Sequence, residues 1–72
     1  MKVVDAIGAR CPLPIIEVAK EVQRLREGES LTLLADDPAT EPDLKAWARM
    51  TGNNVEVVSP TKFKVTKLVS KD

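Results

Sequence analysis

Apolar and polar positions along this chain alternate between a two-residue repeat and a three-to-four-residue repeat, and each change of repeat marks a boundary between elements. Residues 2–7, KVVDAI, are β-prone and end at Gly8, which predicts a first strand. From Ile15 the apolar positions Ile15, Val18, Ala19, Val22 and Leu25 follow helical spacing, with Glu17, Lys20, Glu21, Gln23 and Arg24 on the other face. This predicts a helix over about 13–27, with Gly28 where a C-cap glycine belongs, before LTLLA resumes strand character. ADDPATEP then breaks the pattern. Thr40 and Asp43 have the spacing of a capping box, and Pro42 suits a first helical turn. In the helix that follows, Leu44, Trp47 and Ala48 share one side, Met50 lies nearer the flank, and Gly52-Asn53-Asn54 supplies the stop. A third strand is expected from about Val55. Ser59-Pro60-Thr61 turns the chain into FKVTKLV, where Phe63, Val65 and Val69 alternate with Lys64 and Thr66. That alternation is imperfect, because Lys67 falls on the apolar parity and Leu68 on the polar one.

The order is therefore βαβαββ. Right-handed crossovers place both helices on one face of a four-stranded mixed sheet, giving an α/β two-layer sandwich. At 72 residues the chain has room for one such unit, so residues 1–72 are expected to form a single domain, with only about 70–72 free to fray. Neither an internal repeat nor a low-complexity linker interrupts it.

Charge narrows the function classes. Eleven basic residues balance eleven acidic ones, so the bulk positive field of a general nucleic-acid or membrane-surface binder is missing, and no stable nucleic-acid binding is expected. No apolar run approaches the roughly 20 residues of a membrane span, and the N-terminal MKVVDAIGAR lacks a leader's apolar region; the expectation is a soluble cytoplasmic protein. With no His and a single Cys, the chain lacks imidazole-based triads, thiolate-rich metal sites and an internal disulfide. The adjacent carboxylates Asp36 and Asp37 make a poor metal site, so neither metal nor other cofactor is expected.

Cys11-Pro12-Leu13-Pro14 is the segment that core packing does not explain. Prolines at the first and third helical positions delete no helical hydrogen bond, since the first four N–H groups have no intrahelical acceptor. Cys11 is then expected at the N-cap, its sulfur facing the free N–H groups of the first turn, including those of Leu13 and Ile15, and the positive end of the helix dipole. Both favour the thiolate, with Arg10 adding to them. An unperturbed thiol near pKa 8.5 is only a few per cent ionised at pH 7. The bland alternative is a small buried hydrophobe; Gly8, Arg10 and the proline pair argue instead for a reactive group. Without a His to serve as base or a second Cys to resolve a disulfide, hydrolysis and dithiol cycling fall away. One thiolate unaided can take a sulfane sulfur from a donor, hold it as a persulfide and yield the outer atom to another acceptor.

These residues resemble the TusA-like (SirA-like) sulfur carrier family. The resemblance rests on Gly8-Ala9-Arg10-Cys11-Pro12-Leu13-Pro14, on Ala35-Asp36-Asp37-Pro38-Ala39-Thr40, and on the pattern of Asp43 and Trp47. It spans essentially the whole chain. It implies that Cys11 bears the persulfide (or a thiosulfonate), that Pro12 and Pro14 shape the helix start, and that Asp37 faces partner proteins. It also implies a donor such as a cysteine desulfurase or a rhodanese-like or DsrE-like protein. The sulfur then passes to an acceptor sulfurtransferase in tRNA thiolation, cofactor sulfuration or sulfur oxidation. Leu13 stands where several relatives carry Glu, which bears on partner choice, and Ala48 where some carry a further Cys, which removes an intramolecular relay.

Other signals are weaker. Asp36-Asp37-Pro38 reads as an acidic docking edge or as an ordinary turn; Trp47 reads as core. Lys62, Lys64, Lys67 and Lys71 make the last hairpin basic against Asp36, Asp37, Glu41 and Asp43, which fits either steering of charged partners or lysine protection of an edge strand. Leu13, between two prolines, is the better contact candidate. The reading is a sulfur carrier with Cys11 as nucleophile, Arg10 and the helix start supporting its anion, and Leu13 with Asp37 as docking residues. Its rivals are an RNA- or protein-binding module and a single-cysteine redox sensor.

Overall fold

The structure, a computed structural model, describes residues 2–68. Its elements run β1 (Lys2–Asp5), α1 (Leu13–Val22), β2 (Ser30–Leu34), α2 (Thr40–Thr51), β3 (Asn54–Ser59) and β4 (Lys62–Thr66), the βαβαββ order expected. The strands form one mixed sheet in the order β1-β2-β4-β3, with β1 parallel to β2 and β4 antiparallel to both of its neighbours. Strand alternation sends Val4, Leu31, Leu33, Phe63 and Val65 to one face, where Leu33 stands between Val4 and Phe63 in register and Leu31 opposite Val65. Val18 and Val22 of α1 and Leu44 of α2 close over that face, and the cluster is almost completely dehydrated. Trp47 packs against it from the side, partly buried, as a core residue should. The opposite face carries Thr32, Lys64 and Glu56 in one cross-strand row, and among the described residues no helix packs over it, so the molecule is a two-layer α/β sandwich.

Three expectations change. The first helix stops at Val22, short of the expected 27. The N–H groups of Arg24 and Leu25 reach back three residues to the carbonyls of Glu21 and Val22, tightening the last turn. Leu25 keeps its apolar contact with the core outside the helix, so its periodic position suited both conformations. Gly28 accordingly caps no helix. It occupies the third position of a turn closed by Glu29 N–H on the Arg26 carbonyl (2.9 Å), where its φ of 91° favours glycine.

Lys62 and Lys64 do not guard an edge. β4 lies between β2 and β3, and Lys64 stands directly opposite Glu56. The two strands of a terminal hairpin compete for the inner position, and β4, with Phe63 and Val65 buried, takes it; β3, largely exposed, forms the edge and carries a bulge at Val58. Lys67 lies just beyond β4, and its ammonium donates to the Leu25 carbonyl left open beyond α1 (2.9 Å). A cation therefore occupies an apolar parity without entering the core. Val69, Lys71 and the fraying expected at about 70–72 lie outside the described residues.

Candidate functional site

The parallel pairing of β1 with β2 brings the C-terminal ends of both strands together, Asp5 beside Leu34, so the segments that follow them lie side by side. The first segment carries Cys11. It begins with a turn closed by Ala9 N–H on the Ala6 carbonyl (3.0 Å), with Gly8 at φ 87°. A Cβ built on Gly8 meets nothing within 4 Å, so glycine is required there by backbone conformation and not by space.

The second segment supplies two anchors. Asp36 Oδ1 accepts the Gly8 N–H at 2.9 Å, and Asp37 Oδ2 accepts the Cys11 N–H at 2.9 Å. Asp37 is also part of the start of α2: its Oδ1 accepts Ala39 N–H (3.0 Å) and its carbonyl accepts Thr40 N–H (2.9 Å). The pair read as either docking edge or turn therefore fastens the cysteine segment, and one carboxylate couples Cys11 to α2. Thr40 and Asp43 form no capping box. Ala39 is the N-cap and its own side chain makes no capping bond; the Asp37 carboxylate, from outside the helix, accepts the N–H there.

The start of α1 also differs from expectation. Pro12, not Cys11, is the N-cap, and Ile16 N–H makes the first helical bond to its carbonyl (3.0 Å). Cys11 therefore precedes the cap, joined to Pro12 by a cis peptide bond. The prolines stand at the cap and the second helical position, where Pro14 is buried and Pro12 exposed. Leu13 N–H donates to the Arg10 carbonyl (2.9 Å), so it is not free for the sulfur.

What the sulfur does meet is Thr40. The half-buried Cys11 places Sγ 3.6 Å from the hydroxyl of Thr40, whose side chain is fully buried at the first position of α2. Burial pushes the Cys11 thiol above its ordinary pKa, the carboxylates of Asp37 and Asp43 push it the same way, and the Thr40 hydroxyl opposes them. The Asp37 carboxyl is held below the usual range first by the Ala39 N–H, then by the Cys11 N–H, and further by the Arg10 charge. Shortly after the cysteine in the chain, Leu13 and Ile16 lie one helical turn apart on α1, 53% and 46% exposed, an apolar strip at the start of the helix.

The structure thus brings together Gly8, Cys11 and Asp37, with Pro12, Leu13 and Pro14 at the helix start and Arg10 near Asp37. It adds Asp36, which in the sequence reads as docking edge or turn, and Thr40 and Asp43, whose spacing suggests a capping box. Among the described residues no three Cys, Asp or Glu side chains are grouped to hold a metal ion, and no helix is long and apolar enough to cross a membrane.

Comparison with known proteins gives the chain's family and a structural relative. The profile of the family described as sulfurtransferase TusA matches residues 2–71 of the 72, and the chain belongs to that family. Its fold is similar to the crystal structure of a SirA-like protein from Desulfitobacterium hafniense, with a TM-score of 0.76 and 27% identity over 99% of this chain and 100% of the other. Family membership carries a general sulfur-carrier role and interaction with sulfur-transfer partners.

Proposed function

We propose that residues 1–72 act as one cytoplasmic sulfur carrier, in which Cys11 takes a sulfane sulfur from a donor protein as a persulfide and hands it to an acceptor sulfurtransferase. The observation that carries this reading is the placement of Cys11. The chain's lone cysteine is held by Asp37 through its own N–H, touches Thr40 through its sulfur, and immediately precedes a helix start that exposes the apolar Leu13 and Ile16.

The step needs no outside oxidant. The Cys11 sulfur attacks the outer sulfur of a donor persulfide, and the donor's S–S bond breaks. Its electron pair leaves on the donor cysteine, which takes the proton that the Cys11 thiol gives up. Delivery is the same exchange with Cys11 as the leaving sulfur. Donors of this kind include a cysteine desulfurase and rhodanese-like or DsrE-like proteins, and a thiosulfonate on Cys11 is the alternative cargo from oxidised donors. Leu13 and Asp37 are the residues proposed to meet the partner. Because Leu13 is apolar, the partner surface opposite it is apolar as well.

The test compares donors. Reduced protein treated with polysulfide, and separately with peroxide, is followed by intact mass and by non-reducing gel filtration. A monomer gaining sulfur from polysulfide supports the carrier. A disulfide-linked dimer formed by peroxide, with no sulfur uptake, would establish the redox-sensor reading in its place.

A further inference from the structure

Thr40 carries more than the fold requires of it. A buried hydroxyl is costly unless it is bonded, and the usual employment of a threonine at a helix start is to cap it. Thr40 does no capping here, since Asp37 serves that end of α2, and its hydroxyl lies at 3.6 Å from Cys11 Sγ, a residue 29 positions away in the chain. Its side chain is completely removed from water.

Against a neutral thiol either atom can donate. Against a sulfur anion only the hydroxyl can. Asp37 and Asp43 present only acceptor oxygens when ionised and disfavour negative charge on the sulfur. The Arg10 charge bears on the Asp37 carboxylate. Thr40 is therefore the side chain that opposes the carboxylates at the reacting atom.

We propose, building on the carrier reading above, that Thr40 is the donor to Cys11 Sγ whenever that sulfur carries negative charge. It acts as the thiolate forms to attack the donor's sulfane sulfur, and again as Cys11 departs when the sulfur is delivered. In both directions a sulfur–sulfur bond breaks or forms at Sγ while the hydroxyl keeps its proton and supplies a hydrogen bond to the charge. One residue thereby accelerates loading and delivery together.

The experiment measures alkylation of Cys11 by iodoacetamide against pH in the wild type, Thr40→Val and Thr40→Ser. Loss of the bond is expected to raise the midpoint of the Thr40→Val profile by about one pH unit, a tenfold smaller thiolate fraction below it. Since a more basic thiolate is a better nucleophile, with a Brønsted slope near 0.4–0.5, the net rate near pH 7 falls by only about threefold, and the midpoint is the decisive reading. Thr40→Ser, which keeps the hydroxyl, is expected to stay near the wild type. Loading from polysulfide and delivery to a thiol acceptor should both slow in Thr40→Val.

A midpoint unchanged in Thr40→Val, or raised equally in Thr40→Ser, would overturn the proposal. Should Thr40→Val fail to fold, NMR on the wild type reads the same contact: the Thr40 side-chain shift is expected to titrate with Cys11 and to stay flat in Cys11→Ser, and a flat wild-type titration would overturn the proposal. A raised Thr40→Val midpoint in a protein that takes up no sulfur would support the Thr40 contact and overturn the carrier reading.

Discussion

Gly8 provides a test of why the cysteine segment has its shape. Its φ of 87° lies in the region that L residues avoid, yet an added Cβ would meet nothing within 4 Å. In Gly8→Ala the cost is therefore conformational, about 1–2 kcal/mol, with no steric addition. The backbone N–H that Asp36 accepts is retained in the variant, so no hydrogen bond need be lost. For a domain of this length each kcal/mol corresponds to a Tm change of about 4–8 °C, so Gly8→Ala should melt roughly 5–15 °C lower. Urea unfolding should show the midpoint falling at an unchanged slope. The chain offers an unusual control. Cys11 is a ligation junction, so a synthetic 1–10 thioester carrying D-alanine at position 8 can be joined to residues 11–72. A D residue prefers positive φ and also restricts the unfolded chain, so this protein should be at least as stable as the wild type. A D-alanine protein destabilised as much as the L-alanine one would refute the reasoning, because the cost would then lie in space or hydration and not in φ.

Asp37→Asn should lower the pH midpoint of Cys11 alkylation, since the carboxylate that is lost raises the thiol; an unchanged or raised midpoint would contradict the electrostatic account. The same carboxyl is depressed by its N–H partners, so its contribution to stability is present above the ordinary carboxylate pKa of about 3.9 and is lost as pH falls toward the folded value; urea unfolding should show Asp37→Asn losing less stability on acidification than the wild type. Phe63→Ala removes the largest fully buried side chain, on the inner strand β4, and should cost about 3–5 kcal/mol in urea unfolding. A loss below about 1 kcal/mol would mean that Phe63 does not pack as described.

Much of the fold is legible in local pattern. Strand alternation at Phe63 and Val65, the helical spacing from Leu44 to Ala48 and the stop at Gly52, which adopts φ 79° as a C-cap, all give the same answer alone and in the molecule. What pattern could not supply is pairing. Whether β3 or β4 lies inside depends on which hairpin strand is buried more completely, and the lysines of β4 suggested an edge that the register with Glu56 removes. The helix end at Val22 was hidden because Leu25 meets the core either way. At the site, the strand–helix junction and the singular cysteine were readable from Cys11-Pro12-Leu13-Pro14. Its surroundings were not. The segments that supply Gly8, Asp36, Asp37 and Thr40 are brought together by the parallel β1–β2 pairing, so carboxylates that read as docking edge or turn are anchors, and a threonine with the spacing of a cap is the neighbour of the sulfur.

The central claim is that Cys11 carries sulfur, and intact mass addresses it directly. Reduced wild type and Cys11→Ser are incubated with polysulfide and, separately, with tetrathionate, then weighed before and after reductant, with the modified residue located by peptide mapping. The account predicts a reductant-reversible gain of about 32 Da per sulfur, or of a thiosulfonate group, on Cys11 of the wild type, and none on Cys11→Ser. A wild type left unmodified under conditions that alkylate its thiol, or a Cys11→Ser protein that still gains sulfur, would contradict it.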